Sequence, residues 1–112
     1  RYTDAFADTE WITPLKTKDD VTHARYNYTI KTPPMDRDQV VNHLDSQDIG
    51  ATVHYMPLYK HPVFKNRDPD LPVTEQVCEK LVTIPMSPVM TYNDVTKVIE
   101  TLNSYRPINR GK

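Results

Sequence analysis

The run Asp48-Ile49-Gly50-Ala51-Thr52-Val53-His54-Tyr55-Met56-Pro57-Leu58-Tyr59-Lys60 decides how this chain folds. To its left Val40, Val41 and Leu44 recur with helical spacing, and within it the side chains alternate, Ala51, Val53 and Tyr55 on one face and Gly50, Thr52 and His54 on the other. Pro57 has no N–H to give a ladder, so pairing stops there. The reading predicts a helix from Asp36 to Gln47, a turn at Asp48, a strand from Ile49 to Tyr55, and then a loop. At the turn Gly would be the comfortable left-handed residue and Asp is tolerated. His54 and Tyr55 therefore fall where a strand opens into a loop, the place where binding residues gather.

Upstream, Thr22 to Lys31 alternates, with Ala24, Tyr26, Tyr28 and Ile30 on one face, and predicts a half-buried strand closed by Pro33-Pro34. Asp36 and Gln39 have the spacing of a reciprocal helix cap. Glu10 to Leu15 reads as a short extended piece stopped by Pro14, with Trp11 as a core plug. At the very start Tyr2 and Phe6 stand one helical turn apart, as if a longer helix had been entered near its end. On that ground the chain is expected to be a fragment.

Downstream, Met56 to Pro72 is proline-punctuated and predicts a surface loop with at most a helical turn near His61 to Phe64. Pro72 suits the first turn of a helix with an apolar stripe of Val73, Val77, Cys78 and Leu81. Val82-Thr83-Ile84 makes a third short strand, halted by Pro85. Thr91 with Asp94, then Val95, Val98, Ile99, Leu102 and Tyr105 on one face, mark the last helix. Three short strands with helices packed on them predict a small α+β sandwich, its strand order not legible.

Composition narrows the function. At 112 residues with 38% apolar side chains, one compact domain with one modest core is the limit. Fourteen Lys and Arg stand interspersed with fifteen Asp and Glu, which points away from a nucleic-acid or membrane surface. No apolar run approaches the ~20 residues of a membrane helix, and no signal-peptide pattern opens the chain, so a cytoplasmic protein is expected. Cys78 is the single cysteine, which excludes an internal disulfide and fits a reducing compartment.

The chemistry-bearing residues form no complete catalytic set. His54 and His61 are separated by a proline-containing loop and no helix presents two ligands a turn apart, so no metal site is expected. His23 and His43 read as solvent-facing. Cys78 falls on the buried stripe, without a base in the pattern. Only Gly50 and Gly111 exist, so there is no glycine-rich phosphate cradle. Tyr55 is open to two readings, a core residue of its strand or a side chain that reaches a ligand while His54 faces the other way.

Taken in order, the blocks Tyr28 to Thr32 before an Asp36-started helix, Ile49-Gly50-Ala51-Thr52-Val53-His54-Tyr55-Met56-Pro57-Leu58, Leu71-Pro72, Leu81-Val82-Thr83-Ile84-Pro85-Met86, Thr91-Tyr92-Asn93-Asp94-Val95 and Val98-Ile99 form a recognisable set. The set resembles the C-terminal domain of the nucleotide-sugar aminotransferases of the DegT/DnrJ/StrS type. Each block alone is weak; their order and spacing are specific, and they cover nearly the whole chain.

The resemblance implies a fold-type I enzyme dependent on pyridoxal phosphate, moving an amino group, usually from glutamate, onto a keto carbon of a nucleotide-linked sugar. It implies that residues 1–112 are the small C-terminal domain, that residues 1–8 end an interdomain helix, and that the large N-terminal domain holds the cofactor and its Schiff-base lysine. None of the eight lysines here stands in that lysine's motif, so no catalytic residue is assigned and the chain alone is expected to be inactive. His54 and Tyr55 match the family pair at the mouth of the active site, where they would hydrogen-bond the nucleotide sugar. Lys60 is either a charge for a diphosphate or a solvated lysine. The family is generally a homodimer with its sites at the interface. Two positions depart from it: Asp48 stands where Gly is usual, and Tyr59 where His is frequent. A related dehydratase and a non-catalytic binding or assembly module on the same scaffold are the alternatives.

Overall fold

The computed structural model describes residues 1–64 and 66–108; Lys65, Gly111 and Lys112, counted above, lie outside the described residues. The order of elements is α1 (Tyr2–Ala5), β1 (Thr13–Pro14), β2 (Tyr28–Lys31), α2 (Arg37–Asp45), two 3-10 turns (Leu58–Lys60 and Pro62–Phe64), α3 (Pro72–Cys78), β3 (Leu81–Ile84) and α4 (Tyr92–Ser104). The three strands form an antiparallel sheet in the order β1-β2-β3. Helices pack on it, so the architecture is the expected small α+β sandwich.

Membership of the sheet differs from the expectation, for identifiable reasons. Only Tyr28–Lys31 of the alternating run joins the ladder. Its partner ends at Ile84, paired with Tyr28, because Pro85 offers no N–H. Upstream, Arg25 sits at φ 56 and Tyr26 is 84% exposed, so the alternation of residues 22–27 has no sheet to face. The segment Ile49 to Tyr55 is likewise not a strand: it touches β3 through one bridge, Thr52 to Thr83. The third strand is instead β1, on the far edge of β2.

The core is where the periodicities converge. Ile30 and Val82 from the sheet, Val40 and Leu44 from α2, and Leu102 from α4 are all fully buried, with Phe6 almost so. Each such side chain contributes about 1.5–3 kcal/mol by leaving water. α4 forms as its sequence predicts, Thr91 Oγ accepting from the Asp94 N–H while Asp94 accepts from the Thr91 N–H. α1 is tied down by Tyr2, whose hydroxyl donates to Pro85 O at 2.7 Å, and by Arg1, which donates to Tyr92 O and lies 3.5 Å over the Tyr92 ring.

Several side chains depart from their expected surroundings. Asp36 does not cap α2 with its side chain; the carboxylate is fully buried and accepts from Tyr105 Oη at 2.7 Å and the Ile108 N–H at 2.8 Å. Both bonds go to Oδ1 from the segment after α4, and no side-chain bond from Asp36 to the first turn of α2 is formed. His43 is half-buried rather than solvent-facing, Nε2 meeting Thr101 O and Ser104 Oγ at 2.9 Å. Trp11 is half-buried, tilted over Tyr105 at 5.2 Å. In α3, Cys78 is buried but Val73 is 71% exposed, because the short helix leaves its first turn unsupported.

Candidate functional site

The site begins at the end of α2. Asp48 takes the left-handed conformation expected of it, φ 59, and the Ile49 N–H returns to Leu44 O at 3.0 Å. This turn seats Ile49 in the core and sends the chain along β3, where Thr52 and Thr83 exchange backbone hydrogen bonds at 3.2 and 2.7 Å. Two residues further on, the His54–Tyr55 peptide is cis.

His54 and Tyr55 do not lie on opposite faces of a strand, because no ladder continues past Thr52 to impose the alternation. Their rings sit side by side, centroids 4.6 Å apart and tilted by 56°. His54 is half-buried, its Nδ1 3.1 Å from Thr83 Oγ. Tyr55 is 68% exposed, which removes the core reading of this residue. An imidazole fixed at one nitrogen stands next to a free-standing phenol, and both can donate to or accept from oxygen.

Tyr55 forms one wall of an apolar groove of about 450 Å³, with Met56, Leu58, Val73, Val77 and Leu81. On the other side of Met56 and Pro57 a second cavity of about 400 Å³ is lined by Arg37 and Lys60. Exposed apolar side chains continue along this edge: Leu58 at 71%, Val63 at 81% and Val73 at 71%.

The loop after Tyr55 is held by a three-residue clasp. Tyr59 Oη donates to Glu75 Oε1 at 2.6 Å, and Lys60 Nζ lies 2.8 Å from Glu75 Oε2. The two donors hold the Glu75 carboxyl below its ordinary value, Lys60 foremost. In return the Glu75 hydrogen bond pushes the Tyr59 phenol up to about 12 and keeps the Lys60 ammonium protonated above its usual value. Lys60 is exposed to solvent, as the solvated reading expects, and its charge is met by Glu75. Sequence reasoning marked Tyr59 as a departure but missed its partner Glu75, sixteen positions on, whose signal was a lone acid in the first turn of α3.

The fit of these residues to a pyridoxal phosphate site can be tested directly. An amine that is to attack a carbonyl must lose its proton, and Lys60 is held in the opposite state by Glu75. Gly50, the one glycine among the described residues, would accept a Cβ with nothing within 4 Å, so no backbone cradle closes there on a phosphate. The described residues do not fit the cofactor, and no chemical step is assigned to it on this chain. Among the described residues no three His, Cys, Asp or Glu side chains converge as metal ligands, and no helix is long and apolar enough to cross a membrane.

The fold and the ordered sequence blocks together match known proteins. The sequence model of the DegT/DnrJ/EryC1/StrS aminotransferase family matches residues 1–103, and the chain belongs to that family. It is 29% identical to MJ1066 of Methanocaldococcus jannaschii over 97% of this chain and 30% of that protein. It is 28% identical to the dTDP-3-amino-3,6-dideoxy-alpha-D-galactopyranose transaminase of Aneurinibacillus thermoaerophilus, over 78% of this chain and 24% of that one. The sugar aminotransferase CalS13 from Micromonospora echinospora has the same fold, with a TM-score of 0.83 at 24% identity over 92% of this chain and 27% of that chain. The family depends on pyridoxal phosphate, and a further structural neighbour, from Streptococcus pneumoniae, is solved in its PLP-form. The chain spans 24 to 30% of the length of the curated relatives it matches.

Proposed function

We propose that this chain is the C-terminal small domain of an aminotransferase that moves an amino group, from glutamate, onto the keto carbon of a nucleotide-linked sugar, with His54 and Tyr55 binding the sugar nucleotide. Family membership over residues 1–103 carries the reading. The transaminase name of one relative supports the substrate class and sets it ahead of a dehydratase or a non-catalytic module.

In the whole enzyme, pyridoxal phosphate supplies the electron sink that lets an amino group change carbon. Residues of this chain bind and orient. His54, fixed on Thr83, and Tyr55, exposed beside it, hydrogen-bond oxygens of the substrate. The apolar edge of Met56, Leu58 and Val73 packs against the large N-terminal domain, which excludes water from the site. Tyr2–Ala5, anchored on α4, ends the helix that joins the two domains. The cytoplasmic location and the homodimer implied by the family complete this picture.

The test is expression of this chain with and without its upstream coding sequence, followed by an assay of amino transfer from glutamate to a dTDP-linked keto-hexose. Activity is expected from the longer polypeptide and none from residues 1–112. Turnover by residues 1–112 alone, or an upstream frame lacking a cofactor lysine, would overturn the reading.

A further inference from the structure

Thr83 lies at the centre of a three-member relay. Its Oγ is 3.0 Å from Thr29 Oγ, the residue directly opposite on β2, and 3.1 Å from His54 Nδ1. Thr83 is 7% exposed and has one hydroxyl proton to place. Two proton arrangements run through the three groups as a chain; a third, in which Thr83 accepts from both Thr29 and His54 Nδ1–H, leaves the Thr83 proton without an acceptor among the described residues. In the first, Thr29 donates to Thr83 and Thr83 donates to His54 Nδ1. In the second, His54 Nδ1–H donates to Thr83, which donates to Thr29.

The two arrangements differ in what they leave unpaired. In the second, the Thr29 proton has no acceptor, since the Thr29 hydroxyl has no partner other than Thr83 among the described residues. In the first, both hydroxyl protons are used and only acceptor lone pairs are left over, which is the cheaper deficiency in a half-buried place. The first arrangement makes Nδ1 an acceptor, and neutral imidazole then carries its proton on Nε2.

We propose that Thr29 and Thr83 are positioning residues that fix His54 as the Nε2–H tautomer, so that it presents a donor to an acceptor oxygen of the ligand, a phosphate or sugar oxygen. This rests on the reading of His54 as a substrate ligand. The consequence is selective: at this nitrogen a ligand group that can only donate is refused, while an anionic or ether oxygen is accepted.

The experiment is 15N–1H correlation of the histidine side chains in the labelled protein at alkaline pH. The wild type is expected to show a protonated Nε2 and a bare Nδ1. Thr83→Val is expected to move the tautomer ratio by about tenfold toward a mixture, as the loss of one hydrogen bond allows, and Thr83→Ser to restore the original ratio. A protonated Nδ1 in the wild type, or a ratio unchanged in Thr83→Val, would overturn the relay. Adding dTDP-glucose to the labelled full-length enzyme separates the two ideas: a fixed tautomer whose Nε2–H resonance does not respond there would sink the ligand role of His54, with the relay itself intact.

Discussion

Asp36 shows how much one buried carboxylate can organise. It is fully buried, Oδ1 takes two donors from the C-terminal segment, and Oδ2 has no partner among the described residues. A carboxylate left half-satisfied depends heavily on the bonds it does have. Tyr105→Phe is therefore expected to destabilise the protein by about 1–3 kcal/mol in urea unfolding, with a larger loss than an exposed Tyr26→Phe control. The same phenol has its pKa raised, by burial and then by Asp36, and burial raises Tyr2 to about 12. For groups whose folded pKa exceeds the unfolded value of about 10, the stabilisation is complete below that value and lost as pH rises through the folded one. Denaturation midpoints are thus expected to hold up to about pH 10 and fall between there and about 12. A flat profile across that range would contradict the buried environments of both rings.

At the scale of elements, legibility followed the distance over which the determining contacts act. α4 was readable because its cap, Thr91 with Asp94, and its stripe, Val98 and Leu102 included, lie within one short stretch. Thr91→Ala is expected to cost about 1 kcal/mol, seen as an earlier midpoint of the α-helical signal. The turn at Asp48 was readable for the same reason. Residues 22–27 and 49–55 carried genuine alternation, yet a strand exists only if a partner does, and Pro85 and the single Thr52–Thr83 bridge decide that from far along the chain. The pairing of His54 with Thr83 spans 29 positions and that of Thr29 with Thr83 spans 54, so neither leaves a local signal. The Tyr59–Glu75–Lys60 clasp joins the first 3-10 turn to α3 across the intervening loop. Glu75→Ala is expected to speed tryptic cleavage after Arg67 several-fold, roughly in proportion to local opening. Because the Glu75 pKa is lowered, the clasp holds above the ordinary carboxylate range and loosens as pH falls through the folded value. Hydrogen exchange in the 58–60 turn should rise on that descent; exchange indifferent to acid would argue against the clasp.

For the whole molecule, the distribution of exposed apolar surface matters most. Tyr55, Leu58 and Val73 are exposed around one apolar groove, with Val63 exposed in the neighbouring 3-10 turn, and a large exposed apolar patch of this kind marks a contact surface. That edge carries His54 and Tyr55, the pair proposed to bind the sugar nucleotide. The resemblance identified those two residues, and the structure adds that they are adjacent, differently exposed and differently supported. The measurement that goes most directly to the claim separates the two halves of amino transfer in the full-length enzyme. Tyr55→Phe is expected to raise the KM for the sugar nucleotide about tenfold, a loss of about 1.4 kcal/mol, while the rate at which glutamate delivers its amino group to the cofactor stays unchanged. Equal loss in both halves, or no change in either, would contradict the placement of this phenol at the sugar-nucleotide edge of the active site.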